Sequence, residues 1–273
     1  MIDAAISAQL GITHAESVSG GCIHRCYRAQ RHGRAVFLKL NEARFADAFA
    51  AEADGLAALR AAGCRAPEPI AQGTAGASAY LVLELLELRA SGDFAALGTM
   101  LAALHHRQAD RFGWPRDNYI GSTPQANGGC ESWMAFWRER RLEPQLALTA
   151  RNGYRLDVGP VWELLEGHAP APSLLHGDLW NGNAGFLPAG TPVLFDPAVY
   201  YGDREADLAM TELFGGFPPQ FYAAYNTAWP LASGYERRKH LYNLYHLLNH
   251  LNLFGGGYLA QVRSALRLLA RGL

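Results

Sequence analysis

The 273-residue sequence predicts an α+β fold with two unequal lobes. Stretches of β character and one helical pattern fill the chain up to about residue 88. From residue 89 onward, apolar residues recur mainly at the spacing of amphipathic helices. Two short apolar runs in this second part each end in polar residues, as strands do at the mouth of a cleft. We therefore predict a lobe over 1–88 that ends in a hinge, and a larger lobe over 89–273.

The smaller lobe is predicted to be mostly strands. Its elements are a glycine-rich turn at Gly20 and Gly21, a strand over 34–40, a helix over 45–59 and a strand over 79–87. The strands are short apolar runs, whereas the helix has apolar residues three and four positions apart. Gly63 offers a stop after the helix.

The larger lobe is predicted to be mostly helical, with two short buried strands. The helices cover 93–107, 131–148, 204–214, 235–254 and 258–269, and the strands cover 173–175 and 193–195. A chain of this length with 49% hydrophobic residues can bury substantial cores without disulfides.

The polar residues that follow these two strands indicate phosphoryl transfer. Asp178 and Asn183 lie five positions apart, and Asp196 follows thirteen later. This is the spacing of the base and the two metal ligands in the kinase catalytic core. The alternative is a turn whose polar side chains only cap their own backbone. The apolar runs before both aspartates favour a cleft instead.

Lys39 and Glu52 are the predicted ion pair of the smaller lobe. Only two of the 24 basic residues are lysines, so an ammonium at the end of an apolar strand is unusual in this chain. A compact ammonium suits the α- and β-phosphates of a nucleotide. Glu52, in the middle of the next helix, would orient it, as the equivalent pair does in kinases. Glu42 and Asp54 are alternative partners.

Two backbone segments are candidates for nucleotide contacts. Gly20 and Gly21 lie where a loop would cover the phosphates and offer N–H groups. The backbone from Glu84 to Leu86 would meet the adenine edge at the hinge, although a plain core strand explains these residues almost equally well. The chain contains no G-x-x-x-x-G-K-[ST], which disfavours a Walker-type fold.

Four segments in this order resemble the fructosamine kinase family, the ketosamine 3-kinases. They are Gly20-Gly21-Cys22-Ile23, His176-Gly177-Asp178-Leu179-Trp180-Asn181-Gly182-Asn183, the run from Asp196 to Phe217 that includes Tyr200-Tyr201-Gly202-Asp203-Arg204-Glu205, and the run from Tyr242 to Gly255. The resemblance extends from about residue 18 to about residue 258. The family belongs to the protein-kinase-like superfamily, which also contains the aminoglycoside phosphotransferases.

The resemblance implies a bilobal protein-kinase-like fold and a phosphotransferase that uses ATP and Mg²⁺. Its acceptor would be the sugar 3-hydroxyl of ketosamines, on small molecules or on glycated protein lysines. The 3-phosphate is unstable, so the free amine is released. The resemblance leaves the sugar open among ribulosamines, erythrulosamines and fructosamines. The Ala-rich, Lys-poor composition looks bacterial and favours ribulosamines slightly.

The resemblance also implies a role for each motif residue. Asp178 is the base, Asn183 and Asp196 are Mg²⁺ ligands, Lys39 contacts phosphate with Glu52 as its partner, Trp180 contacts the sugar, His176 orients the catalytic loop, and Asp207 accepts hydrogen bonds from its backbone. For Trp180, simple core packing is an equally good explanation. Asp203 or Glu205 are alternatives to Asp207.

Composition restricts partners and location. A formal net charge of −1 argues against nucleic acid as the main partner, and no apolar run of 18 residues predicts a membrane span. The four cysteines form no C-x-x-C pair and no signal peptide is evident, so we expect reduced thiols and a cytoplasmic protein. We hypothesise that Cys22, in the predicted phosphate loop, is oxidisable. A monomer and a homodimer both remain possible.

Two other functions fit the same machinery. One is another small-molecule kinase, of the aminoglycoside or choline kinase type, or a protein kinase. A protein kinase would have an A-P-E segment after Asp196, and none is evident. The other is a nucleotide-binding pseudokinase that acts as a scaffold. A pseudokinase should lack at least one of the four central side chains, and all four are present.

Overall fold

The computed structural model describes residues 2–18 and 23–270. Its first part is a five-stranded antiparallel sheet with the strand order β1-β2-β3-β5-β4. The strands are β1 (Ile12–Val18), β2 (Arg25–Arg31), β3 (Arg34–Glu42), β4 (Pro69–Ala75) and β5 (Ser78–Glu84). The predicted strand over 79–87 therefore ends at Glu84, three residues early.

The two faces of this sheet are covered by different helices. Helix α1 (Ala4–Leu10), which the sequence did not predict, packs Leu10 against a cluster that includes Val36 and Leu38. Helix α2 (Ala46–Ala61) packs against the opposite face, where Leu81 lies. Because side chains alternate along β3, Lys39 lies on the α2 face.

The rest of the described chain is mainly helical. Its helices are α3 (Phe94–His105), α4 (Trp133–Trp137), α5 (Glu143–Arg151), α6 (Glu205–Leu213), α7 (Pro219–Ala228), α8 (Tyr235–Phe254) and α9 (Leu259–Ala270). A π-helical turn, Arg138–Leu142, joins α4 to α5, so the predicted helix over 131–148 is interrupted once and extends to Arg151. Helix α8 begins and ends as predicted. Helix α7 was not predicted.

Three short antiparallel ribbons position the polar motif within this helical part. They are β6 (Asn118–Ile120) with β7 (Thr123–Gln125), β8 (Ser173–Leu175) with β11 (Tyr200–Gly202), and β9 (Ala184–Phe186) with β10 (Pro192–Leu194). The predicted strands over 173–175 and 193–195 correspond to β8 and, displaced by one residue, to β10. No helix among the described residues is long and apolar enough to cross a membrane.

Candidate active site

The catalytic loop begins where β8 ends, at His176, Gly177 and Asp178. Gly177 has φ of +82°, and a Cβ built there would lie 2.0 Å from the carbonyl oxygen of Ala198. Only glycine fits this close approach with a left-handed backbone. The turn directs the chain out of the buried strand, and Asp178 follows it with a partly exposed side chain.

Asp207 on α6 holds the backbone of this loop. Its Oδ2 accepts a hydrogen bond from the N–H of His176 at 2.7 Å, and its Oδ1 accepts one from the N–H of Gly177 at 2.8 Å. His105 Nε2 lies 3.1 Å from the same Oδ2. Burial pushes the pKa of Asp207 upward, but the hydrogen bond and charge of His105 outweigh it and hold the pKa below its usual value.

The two acids considered as alternatives to Asp207 have other partners. Asp203 accepts hydrogen bonds from the hydroxyl of Tyr242 and contacts His168, whereas Glu205 pairs with Arg238.

His176 is fully buried, and the structure uses both of its ring nitrogens. Nε2 lies 3.0 Å from the carbonyl oxygen of Phe195 and must donate to it, while Nδ1 accepts from the N–H of Asp178 at 3.3 Å. Burial lowers the pKa of His176, which keeps the ring neutral. These contacts suit a side chain that orients the loop.

Asn183 joins the loop to the strand that leads to Asp196. Its Nδ2 donates to the backbone oxygen of Asp178 at 2.8 Å and to Asp178 Oδ2 at 3.2 Å. Its own backbone oxygen accepts from the N–H of Phe195 at 3.1 Å. The three side chains predicted from spacing are therefore brought to one place.

Asp196 directly follows Phe195 and has φ of +55°, in the left-handed region. Few residues other than glycine adopt this conformation, and aspartate is one of those that tolerate it best. Such backbone geometry concentrates at functional sites. Nothing in the local sequence pattern indicated it.

The predicted ion pair between Lys39 and Glu52 is present, with Nζ 2.7 Å from Glu52 Oε1. The same Nζ lies 2.5 Å from Oδ1 of Asp196, so Lys39 links the two parts of the fold. Burial would lower the pKa of Lys39, but the two carboxylates outweigh it and raise the pKa. The rival partners are engaged elsewhere: Glu42 pairs with Arg44, and Asp54 binds Trp114.

The carboxyl groups of this site have unequal pKa values. Burial, together with the charge of Asp196, raises the pKa of Asp178 to about 7. For Asp196, burial acts in the same direction, but the Lys39 charge outweighs it and lowers the pKa. Asp196 is therefore charged near neutrality, whereas Asp178 can bind and release a proton there.

These residues fit a divalent cation. The ammonium of Lys39 pairs with Glu52 and Asp196, so an ionised Asp178 adds negative charge that no ion pair of the described residues compensates. Within 2–18 and 23–270, Oδ1 of Asn183 and Oδ2 of Asp196 accept no protein hydrogen bond. The side chain of Asp196 is 47% exposed. Two available hard oxygens beside uncompensated charge are a suitable donor set for Mg²⁺.

The connector that follows β5 offers unpaired backbone groups. The N–H of Glu84 donates to Glu68, and the Glu84 carboxylate binds Arg65 with two hydrogen bonds, at 2.6 and 2.8 Å. From residue 85 to residue 88, including Leu86, no backbone group bonds to the described protein. The adenine contact predicted for Glu84 to Leu86 therefore rests on the backbone after Glu84.

Trp180 lies at the start of a row of aromatic rings. Its ring is 6.0 Å from Phe214, which is 4.7 Å from His250, and His250 is 5.5 Å from Phe254. Trp180 is partly exposed, and Phe254 is 47% exposed at the far end. A partly exposed aromatic row beside the loop can contact a sugar as well as pack. The predicted loop residues Gly20, Gly21 and Cys22 lie outside the described residues.

Sequence reasoning missed the residues that support the site from a distance. His105 contacts Asp207 across 102 positions, and Asn118 and Gln125 donate to the backbone oxygens of Val199 and Ala198. Asn118 and Gln125 lie in strands of three residues, and His105 ends helix α3, so local periodicity did not connect any of them with the site. Only their polar character inside apolar surroundings offered a signal.

The fold combines a sheet that carries a Lys–Glu pair with a mainly helical part, and it brings Asp178, Asn183 and Asp196 together. This combination defines a phosphotransferase of the protein-kinase-like superfamily. A family model described as fructosamine kinase matches residues 1–271. The chain belongs to the fructosamine kinase family.

Relatives and solved structures agree with this assignment. The chain is 48% identical over 265 residues to a probable ketoamine kinase of Synechocystis sp., covering 94% of this chain and 90% of that protein. It is 39% identical to a chloroplastic protein-ribulosamine 3-kinase of Arabidopsis thaliana, covering 93% and 81%. A crystal structure from Haemophilus somnus, whose name provisionally assigns it to the fructosamine-3-kinases, has a TM-score of 0.89 at 30% identity and covers 97% and 95%. An aminoglycoside phosphotransferase bound to ADP and hygromycin B shares the fold, with a TM-score of 0.62 at 14% identity and coverage of 97% and 95%.

Proposed function

We propose that this protein is an ATP-dependent ketosamine 3-kinase that phosphorylates the sugar O3 of Amadori products. The observation that carries the proposal is the position of Asn183, which binds Asp178 through its side chain and the strand before Asp196 through its backbone. A base and a metal ligand are thus joined by one residue. The chemistry of Asp178 and Asp196 and the family assignment support the same reaction.

In this proposal, Asp178 accepts the proton of the attacking hydroxyl. The hydroxyl oxygen forms a bond to the γ-phosphorus, while the bond from that phosphorus to the bridging oxygen of ADP breaks. A pKa raised to about 7 suits a base that works near neutral pH. The hydrogen bond from Asn183 Nδ2 keeps the carboxylate oriented.

Nucleotide binding is assigned to residues on both sides of the cleft. Lys39, held by Glu52, contacts the phosphates. The backbone from residue 85 to Leu86 meets the adenine edge, and Gly20 and Gly21 cover the phosphates. Asn183 and Asp196 would hold Mg²⁺, which would offset phosphate charge when the nucleotide is bound.

The acceptor side is assigned to Trp180 and the aromatic row behind it. A flat indole stacks on the C–H face of a sugar ring or chain. Trp180 lies two positions after Asp178, so a sugar on the indole would lie near the base. Glycated protein lysines and small ketosamines both reach a partly exposed site, and ribulosamines are the favoured sugars.

The test is consumption of Mg²⁺-ATP by the purified protein with ribulosyl-lysine, fructosyl-lysine and an aminoglycoside. Phosphorus NMR locates the phosphate, and Asp178→Asn serves as the blank. We expect phosphate on O3 of a ketosamine and none on the aminoglycoside. Phosphorylation of the aminoglycoside alone, or nucleotide binding with no turnover on either ketosamine, would refute the proposal.

A further inference from the structure

Helix α2 carries Glu52, so the orientation of Lys39 depends on what holds α2 against the helical part. The strongest contact comes from another acid of the same helix. Asp54 Oδ2 accepts a hydrogen bond from the indole Nε1 of Trp114 at 2.7 Å. Asp54 and Glu52 are two positions apart. A displacement of α2 that breaks the Trp114 contact therefore also moves Glu52.

A second contact lies about two turns earlier on α2, at Asp47. Its Oδ1 accepts a hydrogen bond from Nη2 of Arg116 at 2.6 Å, and its Oδ2 accepts one from the hydroxyl of Tyr119 at 3.1 Å. Asp47 is exposed, so this pair contributes less than a buried contact would. It nevertheless gives α2 a second point of attachment, where two separate donors bind one carboxylate.

The segment that makes these contacts is itself anchored beside the catalytic loop. The backbone of Gly113 exchanges two hydrogen bonds with that of Tyr201, at 2.9 and 2.8 Å. The ring of Trp114 packs 5.4 Å from the ring of Tyr201, and Asn118 Nδ2 donates to the backbone oxygen of Val199 at 2.8 Å. Residues 113–120, which we term the clamp segment, are thus tied to the strand that follows Asp196.

Helix α2 also packs directly on the segment between Asp196 and β11. A Cβ built on Gly55 would lie 3.1 Å from Pro197 and 3.4 Å from Val199, so glycine allows the helix to approach closely. Helix α2 and the segment that follows Asp196 therefore pack directly against each other. The clamp segment contacts both of them.

We propose that the clamp segment keeps α2 in the position that pairs Glu52 with Lys39, and that Trp114 is the positioning residue. Lys39 already contacts both Glu52 and Asp196. When α2 moves away, Lys39 retains only Asp196 and competes for the carboxylate assigned to Mg²⁺. The nucleotide site is therefore assembled before substrate binds, without a phosphorylated activation segment. This inference depends on the proposed function only through the nucleotide site.

Trp114→Phe tests the inference, because phenylalanine keeps an aromatic ring beside Tyr201 but loses the indole N–H together with the five-membered part of the ring. A hydrogen bond to a charged group accounts for about a 10- to 150-fold change in an equilibrium, and only part of that change is transmitted through α2 to the nucleotide site. We expect the Kd for Mg²⁺-ADP and the KM for ATP to rise about five- to tenfold, with the KM for ketosamine unchanged. The matched control is Trp162→Phe, whose ring packs under Arg138. An unchanged Kd in Trp114→Phe, or an equal rise in the control, would overturn the inference.

A double-mutant cycle with Asp54 separates positioning from general loss of structure. Asp54→Ala should raise the Kd as much as Trp114→Phe, and the double variant should show no further rise. Asp54→Asn keeps an acceptor oxygen and should remain within about twofold of the natural protein. Additive effects would contradict the inference. An Asp54→Asn that behaves like Asp54→Ala would contradict it even if Trp114→Phe fails to fold. Because Mg²⁺-ADP binding is the readout, the result is independent of whether any ketosamine is phosphorylated.

Discussion

Replacing Asp207 with asparagine should slow turnover by displacing the loop that presents Asp178. Both carboxylate oxygens of Asp207 are occupied: one accepts from the N–H of Gly177, and the other accepts from the N–H of His176 and contacts His105. Asparagine has a single acceptor oxygen. Whichever way its amide is turned, the NH₂ group meets a donor N–H of the loop backbone.

The expected loss of stability and of turnover in Asp207→Asn follows from those contacts. A hydrogen bond to a charged group contributes about 1.5–3 kcal/mol, and a buried donor left without a partner costs about 1–3 kcal/mol. Losing one such bond and weakening the other lowers the free energy of unfolding by about 2–4 kcal/mol. For a chain of this size, that corresponds to a fall in Tm of about 5–12 °C. A catalytic group displaced by about 1 Å can lose about a hundredfold in rate.

The assay combines thermal unfolding with kcat measured well below the Tm of the variant. The matched control is Asp110→Asn, which makes the same chemical change at an exposed aspartate. We expect Asp207→Asn to lower both Tm and kcat while the Kd for Mg²⁺-ADP changes by less than about twofold, since the nucleotide contacts lie elsewhere. A variant that melts within about 1 °C of the natural protein and keeps its kcat would refute the support assigned to Asp207.

Four further predictions concern the site itself. Asp178→Asn should lose at least about a hundredfold in turnover with unchanged Mg²⁺-ADP affinity. Asp196→Ala should weaken that affinity. Equal turnover in both variants would contradict the two roles. Because the pKa of Asp178 is raised to about 7, kcat/KM should fall about tenfold per pH unit below 7 and level off above it, and a flat profile from pH 5.5 to 8 would exclude Asp178 as the base. A carboxyl pKa raised to about 7 destabilises the folded state progressively from the unfolded-state value of about 4 up to about 7, so Asp178→Asn should raise Tm more at pH 8 than at pH 4. Trp180→Ala should raise the KM for ketosamine about tenfold and Trp180→Phe less, with nucleotide Kd unchanged; a lowered Tm without a KM effect would show that Trp180 only packs the core.

Local sequence patterns predicted which helices and strands are present more reliably than the residues at which they begin and end. Helix α8 agrees at both ends, Tyr235 and Phe254, because a long apolar periodicity is flanked by glycines. Helix α7 was missed because its ten residues, Pro219–Ala228, contain few strongly apolar side chains. The strand predicted to 87 ended at Glu84, since apolar character continues into the connector while pairing with β3 does not. Composition describes the residue, whereas pairing depends on its neighbours in space.

The residues of the site also include some that the sequence pattern predicted and some that it did not. Asp178, Asn183 and Asp196 were found by spacing, because a short ribbon converts a fixed separation along the chain into proximity. The partner of Asp54 could not be found in that way. Trp114 lies 60 positions from it, and nothing near either residue indicates the other. Likewise, the left-handed backbone of Asp196 follows from tertiary contacts rather than from its own preference.

Within the string from Tyr200 to Asp207, Asp207 is the residue that bonds to the loop that presents Asp178. The other charged residues of this string are used to attach α6 to its surroundings. Arg204 donates to the backbone oxygens of Trp229 and Pro230, and Glu205 forms two hydrogen bonds of 2.7 Å with Arg238 of α8.

The ligand atoms of His168, Asp203 and Glu205 lie within 4.8 Å of one another, a spacing that a cation could bridge. Arg238 already supplies a positive charge to Glu205, and the hydroxyl of Tyr242 donates to Asp203, so these acids have protein partners and need no second metal. Substitutions at Asp203 or Glu205 should therefore lower mainly the free energy of unfolding. Turnover should fall only if the substitution displaces α6 and, with it, Asp207.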